Sequence, residues 1–129
     1  MNKYEIIKRI ENFAPIETQE TWDCSGWIVN NSEQNDISKI MLCLTITDGI
    51  IKQARENNCD MIISHHPLFF VPFSYLSLRR EGNEGQINIY SAHTNLDLAH
   101  GGTTDILIKN LGLDQNVINN EIIRTFLRY

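Results

Sequence analysis

KIMLCLTITDGIIKQARENNCDMIISHHPLFF (39–70) decides the fold. Its opening, KIMLCLTI (39–46), is an apolar run of strand length, suited to a strand buried on both faces. Thr47 follows in N-cap position with Asp48 in the first turn, which predicts a helix through about Asn57 with Ile50, Ile51 and Ala54 on its inner face. DMIIS (60–64) reads as a second buried strand. Strand, helix and strand in this order imply a parallel pair joined by a right-handed crossover.

Working outward, INIYSA (87–92) predicts a third strand, and Gly101-Gly102 precede a helix near 103–111 that Gly112 closes. Towards the N-terminus, Tyr4, Ile6, Ile7, Ile10 and Phe13 recur at spacings of three and four, so residues 2–13 read as a first helix. Pro15 and the polar stretch ETQETWDCSG end that helix and form a connecting loop. The expected architecture is α/β, with a mostly parallel or mixed sheet and helices on both faces. Domain sizes peak near ~100–150 residues, so residues 1–129 are expected to form one domain.

Composition narrows the classes of function. Hydrophobic residues make up 42% and charged residues 21%, the balance of an ordered globular chain. The net charge is −5, and no Lys/Arg run exceeds Arg79-Arg80, so no nucleic-acid partner is expected. No apolar run approaches the ~20 residues of a membrane span, and MNKYEIIKRIENF lacks the apolar centre of a signal peptide. Cys24, Cys43 and Cys59 are odd in number and share no CxxC spacing, which suits buried thiols in a reducing cytoplasm better than a disulfide framework.

The residues that carry chemistry follow the predicted strands. SHHPLFF (64–70) places His65 and His66 directly after the second strand, and HTNLD (93–97) places His93 and Asp97 four apart after the third. In open α/β sheets, ligands bind in the crevice beyond the carboxyl ends of the strands. Adjacent side chains on extended backbone point to opposite sides, so His65 and His66 serve one site only if the chain turns there or two metals lie there. Pro67 biases His66 away from helix and supports such a turn. Imidazoles with a carboxylate suit Zn, Fe or Mn. Thr94 and Asn95 are placed to supply supporting hydrogen bonds. The competing reading makes one histidine a strand-end cap and makes Asn95 or Asp97 the side chain of an Asx turn. His100 reads as a solvated loop residue.

The stretches ETWDCSGWIV (20–29), 39–70 and INIYSAHTNLDLAHGGTTDILIKNLGL (87–113) resemble, in collinear order, the dinuclear-metal family of GTP cyclohydrolase 1 type 2 homologues, also called NGG-one-interacting-factor-three-like. The resemblance implies an α/β fold, two divalent metals and a ring-shaped hexamer. It carries the family's adjacent metal-binding histidines onto His65 and His66, its bridging carboxylate onto Asp97, and a site-lining histidine onto His93. Three departures stand out. Family members have a further C-terminal part that supplies a His and a Glu, whereas here no His follows His100 and Glu121 is the late carboxylate. Thr45 stands where the family commonly has Asp. Of the family's DxxGLxxG pattern, this chain keeps Asp23 and Gly26 but has Trp27 and Asn30 in the remaining positions.

These readings predict a cytoplasmic protein that binds divalent metal (Zn, Fe or Mn, up to two ions) through His65, His66 and Asp97. His93 is the expected general acid/base of a metal-dependent hydrolase acting on a nucleotide-like small molecule. The alternative is a non-catalytic metal-binding or protein-interaction module. A homo-oligomer is expected, with the aromatic run Phe69, Phe70, Phe73, Tyr75 and Leu76 as its contact surface.

Overall fold

A computed structural model describes residues 1–68 and 87–113 of the chain. Helix α1 (Lys3–Phe13) starts where the Asn2 side chain accepts the Tyr4 N–H. A single 3-10 turn (Ile16–Thr18) and a bent loop lead to strand β1 (Gly26–Val29). Strand β2 (Ile40–Cys43), helix α2 (Asp48–Glu56) and strand β3 (Met61–Ser64) form the strand–helix–strand unit expected from the sequence. The Thr47 hydroxyl accepts the Ile50 N–H and caps α2. Strand β4 (Asn88–Ser91) is followed by a short helix α3 (Thr94–Leu98) and by α4 (Thr103–Asn110). Gly112 lies just past the end of α4 at φ +69°, a left-handed conformation that glycine adopts without strain.

The sheet is mixed, with strand order β1-β4-β3-β2. β2, β3 and β4 run parallel, and β1 pairs antiparallel with β4. The register places Cys43 beside Ser64 and Ser64 beside Ser91, so the three parallel strands end level with one another.

The period-2 alternation of strand side chains sorts the core onto two faces. On one, Ile51 and Ala54 of α2 join Ile46, Cys59, Ile62, Leu68 and Ile89. On the other, Ile7 of α1 joins Ile37, Met61, Tyr90 and Ala92, with Leu96 of α3 packed against them. Helices therefore cover both faces, and each fully buried Ile contributes about 1.5–3 kcal/mol.

Besides the short helix α3, which the sequence did not announce, three details differ from the sequence-based expectation. The run 39–46 is not a strand buried on both faces: β2 is an edge strand among the described residues, and Leu42 and Leu44 are 72% and 65% exposed. The loop after α1 opens into β1, a strand that no alternating pattern announced. Cys24 is exposed, although Cys59 is buried as expected. The aromatic run 69–76, Arg79-Arg80 and Glu121 lie outside the described residues.

Candidate metal centre

Because β3 and β4 are parallel and end in register, the segments that follow them leave the sheet side by side. His65 and His66 leave β3, and Ala92 and His93 leave β4. The His65 and His66 N–H groups donate to the carbonyls of Cys43 (3.2 Å) and Leu44 (2.8 Å), while the Ser64 hydroxyl donates to the His66 carbonyl (2.9 Å). The chain bends at this point, so the two rings do not alternate across a strand but lie 5.1 Å apart, centroid to centroid. The His93 ring lies 5.1 Å from that of His65 and 5.7 Å from that of His66. One ring nitrogen from each of the three lies within 4.8 Å of the other two.

The Nδ1 atom of every ring is anchored to protein. That of His65 is 2.9 Å from the Ala92 carbonyl oxygen, and that of His93 is 2.9 Å from Asp23 Oδ1. Carbonyls and carboxylates only accept, so both Nδ1 atoms carry the proton and the neutral rings have their lone pair on Nε2. His66 Nδ1 is 2.7 Å from the Thr45 hydroxyl, which can donate or accept. Burial and the neighbouring His65 and His93 push the His66 pKa down, with Asp97 opposing them, and this favours the neutral form that binds metal.

Asp97 lies one helical turn after His93, on α3. Its Oδ1 is 3.5 Å from His65 Nε2 and also accepts a hydrogen bond from the Thr103 hydroxyl. Gly102 makes that contact feasible: a Cβ there would stand 2.0 Å from the Leu96 carbonyl oxygen, so only glycine lets α4 begin this close to α3. A lone pair on His65 Nε2 facing a carboxylate oxygen is repulsive unless a proton or a cation lies between them. Two ligands at ~2.0–2.1 Å on one tetrahedral ion are roughly 3.4 Å apart, close to the separation seen here. Three imidazoles beside a carboxylate thus fit a divalent ion such as zinc or iron.

Sequence reasoning missed the role of Asp23. Its side chain is fully buried, and it reaches His93 from the loop between α1 and β1. Burial opposes its ionisation, but hydrogen bonds from Thr94, His93 and Ser25 outweigh that and hold its carboxyl below the usual range. Thr94, expected to support the site, donates from its hydroxyl to Asp23 and accepts from the Glu20 N–H (2.9 Å). Asn95 accepts the His93 N–H (3.0 Å) and donates to the Ala14 carbonyl (2.8 Å), which ties α3 to the end of α1. Trp22, more than half exposed, sets its ring edge to face with His93 at 6.2 Å. His100 is 93% exposed and stands apart from the cluster, 3.2 Å from Asp105.

Comparison with known proteins identifies the family and the fold. A GTP cyclohydrolase 1 type 2 homolog of Clostridium perfringens is 38% identical over 125 residues, covering 92% of this chain and 47% of that protein. NIF3-like protein 1 of Drosophila melanogaster is 31% identical over 115 residues, covering 84% of this chain and 39% of its own length. Among solved structures, reduced HcgD from Methanocaldococcus jannaschii superposes with a TM-score of 0.74 at 30% identity, over 89% of this chain and 48% of that one. The Bacillus cereus protein related to NIF3 gives a TM-score of 0.73 at 28% identity, over 89% of this chain and 34% of that one. The chain spans about half the length, or less, of the relatives it matches. The model of the Duf34/NIF3 (NGG1p interacting factor 3) family matches residues 1–125, and the chain belongs to that family.

Proposed function

We propose that the protein binds divalent metal at His65, His66 and His93, with Asp97 at the edge of the cluster, and acts as a metal-dependent hydrolase of a small molecule. The observation that carries this reading is the approach of His65 Nε2 to Asp97 Oδ1 at 3.5 Å, while His65 Nδ1 is committed to the Ala92 carbonyl. That pair of lone-pair donors is stable around a cation. The geometry favours a ligand role for His93 over the proton-transfer role expected from sequence, because its ring stands as close to His65 as His66 does.

When bound, a divalent ion supplies Lewis acidity, polarising a carbonyl or phosphoryl oxygen and making water a better nucleophile at neutral pH. The chain's own groups hold the ligands in place. Ala92, Thr45 and Asp23 fix the three rings through Nδ1, and Thr103 orients the Asp97 carboxylate. Such supporting contacts keep ligand atoms in position before the ion arrives. The donor set suits zinc, iron or manganese, in one or two ions. The name of its relatives points to a nucleotide-like substrate. The exposed Leu42 and Leu44 support self-association into a homo-oligomer, and the free cysteines suit a cytoplasmic setting.

The test is turnover of a panel of nucleotides and phosphoesters by the purified chain. Hydrolysis that stops with EDTA and returns with Zn²⁺ or Mn²⁺ is the expected result. Metal binding without turnover of any substrate would make the protein a metal-binding module instead, and hydrolysis unaffected by chelator would remove the metal from the mechanism.

A further inference from the structure

We infer that Asp23 is the positioning residue of the centre: its carboxylate selects the Nδ1-protonated form of His93 and aims Nε2 at His65 and His66. This inference rests on the metal-binding reading above and adds a residue to it.

The argument starts from how Asp23 is itself held. Its Oδ1 accepts the Cys24 N–H at 2.7 Å. Its Oδ2 accepts the Ser25 hydroxyl at 2.8 Å, the Thr94 N–H at 3.0 Å and the Thr94 hydroxyl. Four donors other than His93 therefore fix a fully buried carboxylate, and His93 Nδ1 adds a fifth at 2.9 Å. Because the carboxylate is anchored without His93, it orients the ring instead of being oriented by it.

An ionised carboxylate has no proton to give, so the imidazole facing it presents N–H on Nδ1 and its lone pair on Nε2. The same carboxylate grips the first residue of α3, the helix that carries Asp97 one turn later. One buried side chain thus sets the ring of His93 and the start of the helix bearing Asp97. An amide at this position cannot reproduce the pattern. Its NH₂ group must face either Cys24 N–H and His93, or Ser25 and the two Thr94 donors. In the first orientation, His93 is driven to accept through Nδ1 and to carry its proton on Nε2, where it cannot bind metal.

The experiment uses the whole chain labelled with ¹⁵N-histidine, stripped of metal and held at pH 8, where neutral rings dominate. Long-range ¹H–¹⁵N correlation spectra report which nitrogen of each ring is protonated, and the spectrum of His93→Gln assigns the His93 signals. Wild type is expected to show His93 protonated on Nδ1, and Asp23→Asn to lose that preference. Zn²⁺ titration against a chromophoric chelator should then show ~10–100-fold weaker binding in Asp23→Asn. A merely structural role would lower the melting temperature of Asp23→Asn without moving the tautomer or the Kd of its folded fraction. His93 protonated on Nε2 in wild type, or a folded Asp23→Asn with wild-type zinc affinity, would overturn the inference. If Asp23→Asn does not fold, the wild-type spectrum alone decides. Wild type that binds no Zn²⁺ would sink the metal reading, while the tautomer would still support or overturn the role of Asp23.

Discussion

At the amino end of the sheet, Lys3 and Asn88 are completely buried. At the carboxyl end stand three histidines, Asp23 and Asp97. The amino-end polar groups answer one another. Lys3 Nζ donates to the Asn31 carbonyl and Asn88 Oδ1, Asn88 Oδ1 also accepts the Asn31 N–H, and Asn88 Nδ2 donates to the Gln34 carbonyl. Asp60 accepts the Ser38 and Lys39 N–H groups beside them. At the carboxyl end the outer contacts are equally complete, but His65 Nε2 and Asp97 Oδ1 face each other at 3.5 Å, a contact that needs a proton or a cation between them. A balanced polar network fastens chain segments together, as Lys3 and Asn88 fasten α1, the 31–34 segment and β4. A carboxylate and an imidazole left to share a proton or a cation, held in place by neighbours that are themselves satisfied, are where the proposed ion would sit.

Substitutions at the two ends should therefore differ in whether metal matters. The largest effect belongs to Asn88→Ala, which removes the hydrogen bonds of the Asn88 side chain to Lys3 Nζ, the Asn31 N–H and the Gln34 carbonyl at once. Three hydrogen bonds lost at roughly 1 kcal/mol each give a loss of about 3 kcal/mol. Urea melts should show that loss to be the same with EDTA and with Zn²⁺.

Next come His65→Ala, His66→Ala, His93→Ala and Asp97→Asn. Each should change the metal-free stability little and remove the stabilisation that metal confers, about 2.7 kcal/mol at a hundredfold excess over Kd. Thermal melts of each variant with and without Zn²⁺ measure this interaction directly. Equal shifts in both conditions would mean that the carboxyl end is structural, like the amino end.

Thr45→Val sharpens the comparison at smaller scale. It keeps shape but removes the partner of His66 Nδ1, so zinc affinity should fall by about tenfold, near 1.4 kcal/mol. Competition with a chelator reads that change. The smallest effect on the monomer is expected from Leu42→Ser on the exposed edge strand, within about 0.5 kcal/mol. Light scattering should nevertheless show weaker self-association for this variant, and an unchanged oligomer would remove β2 from the interface.

What could be read from the sequence follows from how local each signal is. The 39–64 unit was legible because its caps and apolar runs are contiguous, and the parallel pairing of β2 with β3 matches that expectation. β1 was not, because GWIV has no alternation and follows a polar loop, and its place in the sheet comes from pairing with a strand about sixty residues away. α3 was missed because TNLDL is too short to show a helical period. Leu42 misled because an apolar run records what a strand could bury, not which strand ends at the edge. At the site, His65, His66, His93 and Asp97 announced themselves as polar residues after core strands. Asp23 stood out only as a kept residue of the family's DxxGLxxG pattern, without a role, since it is one acid among Glu17 and Glu20 in a polar loop and its partner His93 is seventy residues away. Ring orientation depends on the partners of Nδ1, and those come from Ala92, Thr45 and Asp23 on separate segments.

The central claim is that the carboxyl end of the sheet holds a divalent ion. Elemental analysis of wild type and of His65→Ala, both purified without added metal, tests it most directly. Wild type should carry zinc, iron or manganese in near-stoichiometric amount, and His65→Ala should carry little. Wild type free of all three, with no shift in melting temperature on adding Zn²⁺ or Mn²⁺, would contradict the claim.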